Sequence, residues 1–265
     1  LDTTQKQIRL LRLRHRAHHG HLPQYELHTF DLENAPNYIA LSYTWGPAFP
    51  NYPIRVNRRK LHIRANLHAF LQGFAGRGYI WIDQICIDQS NPEEKNHQVR
   101  MMAQIYRDCD SMIIWLGSKD HAFREAADEF IYKQRPHSLS VLLHDDYFTR
   151  LWVVQEVLLA RAVRIICRGM SGHVEIPWND VHAVATGSAR WLQQHGHTKA
   201  VLALIANQGM NRYEGLRLTI ARFAGYECEN PRDKVYGLLG IVKPKERLEV
   251  DYTKSVQDVF LDAAR

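Results

Sequence analysis

Paired cysteines are missing from this 265-residue chain. Cys86, Cys109, Cys167 and Cys228 stand far apart and none belongs to a CxxC pair. A disulfide framework and a zinc site opened by adjacent thiolates are therefore excluded. Each cysteine lies in or beside an apolar run and reads as a buried thiol in a reducing compartment. Long apolar runs are missing too. The longest, from Leu151 to Cys167, is interrupted by Gln155, Glu156, Arg161 and Arg164. Spanning a bilayer would bury those charges, so no membrane span is expected. The basic start has no uninterrupted apolar region of signal-peptide type, and the first residue is Leu, so the chain reads as an excised cytoplasmic fragment. P-loop, GxGxxG, HExxH and GxSxG patterns are absent, as are repeats and low-complexity segments. The fifteen histidines are scattered, and His18/His19 and His195/His197 lack a second ligand pair at metal spacing, so no metal site is expected.

What remains is a globular composition, 45% apolar and 23% charged, enough to bury a core without staples. The net charge is +6, and much of the excess lies in the first twenty residues, where Lys6, Arg9, Arg12, Arg14 and Arg16 face only Asp2. Such an arm suits nucleic acid or phospholipid. Ile8, Leu10, Leu11 and Leu13 are interleaved with the arginines, however, and favour an edge strand with one solvated face.

Buried strands are predicted at 39–45, 79–87, 112–117 and 163–167. Tyr79 to Ile87 is apolar on both faces of a period-2 pattern, as in a central parallel strand. Helical spacing places Leu67, Phe70, Leu71 and Phe74 on one face, and Val99, Met102, Ile105 and Tyr106 on another, after a cap from Ser90 or Asn91 and Pro92. A strong helix is predicted over 148–160. Strands alternating with helices imply an α/β fold with a mainly parallel sheet, helices on both faces and right-handed crossovers. Residues 1–175 read as that core. Residues 176–265 read as its helical extension, including an apolar helix through Val201, Leu202, Leu204 and Ile205.

Ligands of open parallel sheets bind at the carboxyl ends of the strands. That rule selects Ser42, Tyr43, Thr44, Trp45 and Gly46, and also Asp83 and Gln84 late in the second strand. Asp83 reads equally as a cap of its neighbouring loop. Glu156 is the most informative carboxylate. Its i±3 and i±4 neighbours are Trp152, Val153, Leu159 and Ala160, so its helix offers it no ion-pair partner. Trp152 sits one turn earlier on the same face. The competing reading is a structural glutamate facing an arginine such as Arg150 or Arg232. Cys86 beside Asp88 reads as an inert buried thiol.

Several blocks together resemble a known family. Tyr38-Ile-Ala-Leu-Ser-Tyr-Thr-Trp-Gly46, Trp81-Ile-Asp-Gln-Ile-Cys-Ile-Asp-Gln89, Glu94-Lys-Asn-His-Gln-Val99, Ile105-Tyr106, Trp115-Leu-Gly117 and Leu151-Trp-Val-Val-Gln-Glu-Val157 are similar to segments of the fungal heterokaryon incompatibility (HET) domain. So are Pro231-Arg-Asp-Lys-Val-Tyr-Gly-Leu-Leu-Gly240, Asp251-Tyr-Thr and the first strand, Ile8-Arg-Leu-Leu-Arg-Leu13. The resemblance implies allorecognition and incompatibility cell death. That family is in turn distantly similar to Toll/interleukin-1 receptor (TIR) domains, which implies a flavodoxin-like sheet. Some TIR domains cleave NAD at the nicotinamide glycosidic bond, using a glutamate four residues after a tryptophan, and Trp152 and Glu156 match that spacing.

The resemblance thus implies Glu156 as the catalytic residue with Trp152 beside it, and the strand-end rule adds Tyr43, Trp45 and Asp83, giving four substrate-binding residues. NAD enters as substrate and no cofactor is expected. Nicotinamide leaves as a neutral molecule, so the chemistry asks for a carboxylate beside an oxocarbenium-like transition state rather than a general acid. Tyr43 or Trp45 would stack on nicotinamide, and an arginine, not singled out by the sequence, would hold the pyrophosphate. Self-association and an upstream allorecognition partner are implied. The rival reading is a non-enzymatic self-assembling module that recruits a death effector and leaves Glu156 idle. A nucleic-acid binder using the basic arm ranks third.

Overall fold

The computed structural model describes residues 1–16, 22–74, 76, 78–117, 119–135, 137–187, 201, 204, 205 and 213–265. Leu202 and the histidine pairs His18/His19 and His195/His197 lie outside the described residues.

The doubly apolar segments become the middle of one sheet. Strands β1 (Gln7–His15), β2 (Gln24–Asp31), β3 (Tyr38–Tyr43), β4 (Asn51–Val56), β5 (Arg59–Arg64), β6 (Tyr79–Trp81), β7 (Ser111–Trp115), β8 (Val163–Arg168) and β9 (His173–Pro177) lie in the order β5-β4-β2-β1-β6-β3-β7-β8-β9. Pairings within β6-β3-β7-β8 are all parallel, with Ile39 opposite Ile80 and Ser111. On the flanks β1 is antiparallel to β2 and β6, β4 to β5, and β9 to β8, while β2 and β4 are parallel.

The sheet is therefore mixed, where the sequence predicted a mainly parallel one. Three of its antiparallel pairs are consecutive strands that turn back on one another, and the fourth joins β1 to β6 across the fold. The β4–β5 hairpin turns through Asn57 and Arg58, both with positive φ, as tight hairpin turns require. Nor is β1 an edge strand. It lies between β2 and β6 with Ile8, Leu10 and Leu11 buried. The charge that suggested an edge is partly neutralised inside: Arg9 donates to both oxygens of Glu94, at 2.7 and 2.8 Å.

Alternation along β3 and β7 builds two cores. Ala40, Met112 and Ile114 face one side, where helices α3 (Pro92–Asp108), α4 (His121–Tyr132), α5 (Ser138–Leu143) and α6 (Trp152–Leu159) contribute Met102, Ile105, Phe130, Leu142, Val153 and Val154. Leu41, Tyr43, Ile113 and Trp115 face the other, against Leu67, Phe70 and Leu71 of α1 (Ala65–Gly73). Asn91 caps α3 by accepting from the Glu93 and Glu94 N–H groups, with Pro92 in the first turn.

A second correction concerns Asp83. The strand predicted over 79–87 ends at Trp81, and Asp83 opens the one-turn helix α2 (Asp83–Cys86). Cys86 N–H bonds to Ile82 O at 2.7 Å, while Ile85 and Cys86 stay buried. A helical turn thus satisfies the same apolar alternation that reads as strand.

Beyond residue 213, the helices Leu216–Phe223 and Val256–Ala264, with the turn Asp233–Tyr236, enclose a smaller core around Val235, Leu239, Val242 and Val259. Val201, Leu204 and Ile205 join the main core. Cys86, Cys109 and Cys167 are buried free thiols, each pushed up to about 12 by burial, and Cys228 is half-buried. Among the described residues, no helix is long and apolar enough to cross a membrane.

Candidate active site

Ser42, next to last in β3, points to the helical side that carries α6. Its hydroxyl donates to Glu156 Oε2 and lies 2.7 Å from the Tyr147 hydroxyl. A hydroxyl has one proton. If Ser42 gives its proton to Glu156, Tyr147 must donate to Ser42, so the chain runs Tyr147 to Ser42 to Glu156. It ends on the carboxylate, the arrangement that suits its charged form. Tyr106 of α3 completes the wall, with its hydroxyl 3.5 Å from Leu41 O.

Glu156 is 5% exposed. Burial raises its pKa above the ordinary glutamate value, and the nearby Asp83 charge adds to the rise. Arg150 and the hydroxyls of Ser42 and Tyr106 oppose it. Among the described residues Glu156 makes no ion pair within 4 Å, so the structural alternative is realised only at a distance. Arg150 lies in the same field, but its Nη1 donates to Tyr43 O at 2.5 Å. Arg232 is engaged elsewhere, with Lys254 O and Asn230.

A second group meets at the same strand end. Trp45 Nε1 donates to Asp83 Oδ2 at 2.6 Å, and Asp83 Oδ1 accepts from Gln84 N–H at 2.7 Å. Burial raises the Asp83 pKa, with Trp45, Arg150 and Gln84 holding it back. Arg64 covers the Trp45 ring, 4.9 Å from its centre, and donates to Gly46 O at 2.6 Å. The Tyr43 hydroxyl is buried close to Asp83, and burial raises its pKa, with Asp83 adding to the rise. Neither that hydroxyl nor Gln84 Oε1 has a well-formed hydrogen bond among the described residues. Asn66 closes the adjacent crevice between β3 and β7: its amide donates to Thr44 O at 2.6 Å and accepts from Trp115 Nε1 at 2.9 Å. Gly117, with φ +82°, leaves room for it, since a Cβ there would stand 2.8 Å from Asn66 Oδ1.

Tyr43, Trp45 and Asp83 are therefore brought together on one side of the sheet end, and Glu156 lies on the other. Arg150 and the mutual influence of the two carboxylates connect the groups. Trp152 is directed differently, its indole N–H donating to Asp233 Oδ2 at 3.1 Å. Sequence reasoning did not find Tyr106, Tyr147 or Asn66. Tyr106 was readable only as a core residue of α3, and Tyr147 sits in a short 3-10 turn, Asp146–Thr149, without periodic pattern. Among the described residues no group of three or more His, Cys, Asp or Glu converges as a metal site would require.

Ser42, Tyr43, Trp45, Asp83, Tyr106, Tyr147, Arg150 and Glu156 all fall within residues 38–156, which match the family model described as "Heterokaryon incompatibility protein (HET)". The chain carries a HET domain. It is 25% identical over 332 aligned positions, covering 90% of this chain, to "Heterokaryon incompatibility protein 6, OR allele" of Neurospora crassa. It is 27% identical over 139 positions, covering 50% of this chain, to "Vegetative incompatibility protein HET-E-1" of Podospora anserina. These matches span 48% and 10% of the two relatives, so the HET chain described here corresponds to less than half of either. No solved structure matches it.

Proposed function

We propose that this HET domain cleaves NAD at the nicotinamide glycosidic bond, with Glu156 as the catalytic carboxylate, and that the reaction serves incompatibility cell death in fungal allorecognition. The observation that carries the reading is a buried glutamate at the carboxyl end of a central parallel strand, hydrogen-bonded through Ser42 yet without an ion pair. A buried carboxylate left in that condition suits a substrate that develops positive charge. In NAD the C1′–N bond breaks, its electron pair leaves with nicotinamide, and the ribosyl cation adds water and loses a proton to give ADP-ribose. The Glu156 charge offsets the cation as it forms.

The strand order supports the reading. Numbered by sequence, the four parallel strands lie second-first-third-fourth, the flavodoxin-like order, whose ligands sit at the switch between first and third. That is the order expected of a TIR-like sheet. Asp83 takes ribose hydroxyls, and Trp45, once Arg64 moves aside, offers its face to nicotinamide. The Tyr43 hydroxyl and Gln84 Oε1 take polar groups of the substrate, as buried unpartnered atoms at a ligand site do. Trp152, occupied with Asp233, stays out of the binding set.

The burial of Glu156 favours one rival. A non-enzymatic assembly module needs no access to this carboxylate, whereas the enzyme requires its cover to open. Incubating the purified chain with NAD separates the two: the enzyme releases nicotinamide and ADP-ribose in equal amounts, and the module leaves NAD intact.

A further inference from the structure

The segment after residue 213 holds four successive residues where α6 begins. Glu227 N–H donates to Thr149 O at 2.7 Å, and Leu151 N–H donates back to Glu227 O at 2.7 Å, so Arg150 is bracketed by reciprocal backbone bonds. Thr149 Oγ1 also donates to Glu227 Oε2 at 3.3 Å. One residue further, the Trp152 indole donates to Asp233 Oδ2, while Asp233 Oδ1 accepts from the Tyr252 hydroxyl at 2.5 Å. Tyr252 packs edge-on against Tyr236, 5.1 Å between ring centres, so Asp233 stands on the small C-terminal core. Gly237 leaves room beside Asp233: a Cβ there would stand 2.9 Å from Asp233 O, while meeting Leu151 and Trp152 only at ordinary contact distance.

Helix α6 needs such support. It has eight residues, and Leu151 at its N-cap makes no side-chain capping bond. So short a helix is marginal by itself, and its first N–H groups need outside acceptors. Whatever holds its first turn sets the direction of everything it carries. Arg150 lies just before that turn and Glu156 one turn beyond it.

We infer that Asp233 is a positioning residue for the site: with the Glu227 backbone it fixes the first turn of α6, and through that turn the placement of Arg150 and Glu156. The C-terminal segment, outside the family match at 38–156, is then a working part of the site. This rests on Glu156 being the catalytic carboxylate.

Two variants test it. Asp233→Asn leaves one carbonyl oxygen for two donors, and Trp152→Phe keeps a ring while removing only the indole N–H. Amide hydrogen exchange is followed at Leu151 and Val153 to Glu156, with β3 and β7 amides as internal controls, beside nicotinamide release from NAD. Both variants are expected to speed exchange in α6 about tenfold or more, the scale of one lost bond to a charged acceptor, with β3 and β7 unchanged. In the same variants kcat falls by roughly tenfold to a hundredfold, as for a displaced catalytic group, while KM changes little. Unchanged exchange in α6, or equal acceleration in β3 and β7, overturns the inference. Should Asp233→Asn not fold, Trp152→Phe carries the decision. A wild type that never releases nicotinamide refutes the reading of Glu156, and the exchange measurement still decides whether Asp233 holds α6.

Discussion

Moving the Glu156 carboxylate out of water disfavours its charge, and the donors around it offset only part of that cost. Its pKa in the fold therefore lies above its value in the unfolded chain. Between those two values the folded state keeps a proton that the unfolded state has released, so stability falls as pH rises from about 4.5 through the folded pKa. Glu156→Gln removes this titration and leaves that of Asp83 in place. The melting temperature of Glu156→Gln minus that of wild type is accordingly expected to grow from pH 4 upward, which thermal melts at several pH values can follow. A gap that shrinks instead would mark a structural ion pair. Glu156 is legible in the sequence because its helical neighbours are apolar or aromatic and no partner stands at i±3 or i±4. Tyr147 and Ser42, which give it a proton chain, come from 9 residues before and 114 residues before it, and no local pattern links such positions.

At the scale of elements, β1 and α3 are joined by a charge pair made across 85 residues. Glu94 has a side chain 4% exposed and accepts from both nitrogens of Arg9 and from Asp88 N–H at 2.7 Å. Those partners hold its pKa below the usual glutamate value. Arg9→Ala removes two of the donors on that buried carboxylate and leaves it only the Leu1 ammonium, 3.1 Å away, and Asp88 N–H, at a cost of about 2 kcal/mol, the scale of lost hydrogen bonds to a charged group. Urea unfolding should show a midpoint shift of that size with an unchanged slope; no shift would mean that solvent replaces Arg9 freely. The same pair explains one failure of sequence reading. Interleaved arginines look like a solvated edge, and nothing near Arg9 announces Glu94. The central strands were legible because burial on both faces leaves them apolar throughout, and α3 because its cap, proline and periodicity agree. Hairpin β4–β5 was not: Arg55, Arg58, Arg59 and Lys60 mask its short alternation. At α2, period-2 apolarity over a few residues does not distinguish a strand from a helical turn.

For the whole molecule, the sealed carboxylate and the net charge of +6 bear on how activity is switched on. Like charge opposes association at low ionic strength, and salt screens it. If association opens or completes the site, dilute protein is silent and mass action turns it on. Turnover per protomer is expected to rise with protein concentration or enforced clustering, and to do so at lower concentration when salt is added. Equal turnover across a dilution series that spans monomer and oligomer contradicts this.

Whether the Glu156 charge drives NAD cleavage is decided by nicotinamide release from wild type and Glu156→Gln at the same concentration, with thermal melts of both. Gln keeps the size and one acceptor for Ser42 while removing the charge. The rate is expected to fall by about a hundredfold or more in a variant that melts at or above the wild-type temperature at pH 7. A variant that still releases nicotinamide at the wild-type rate, or one whose loss of activity is matched by unfolding, contradicts that role of the charge.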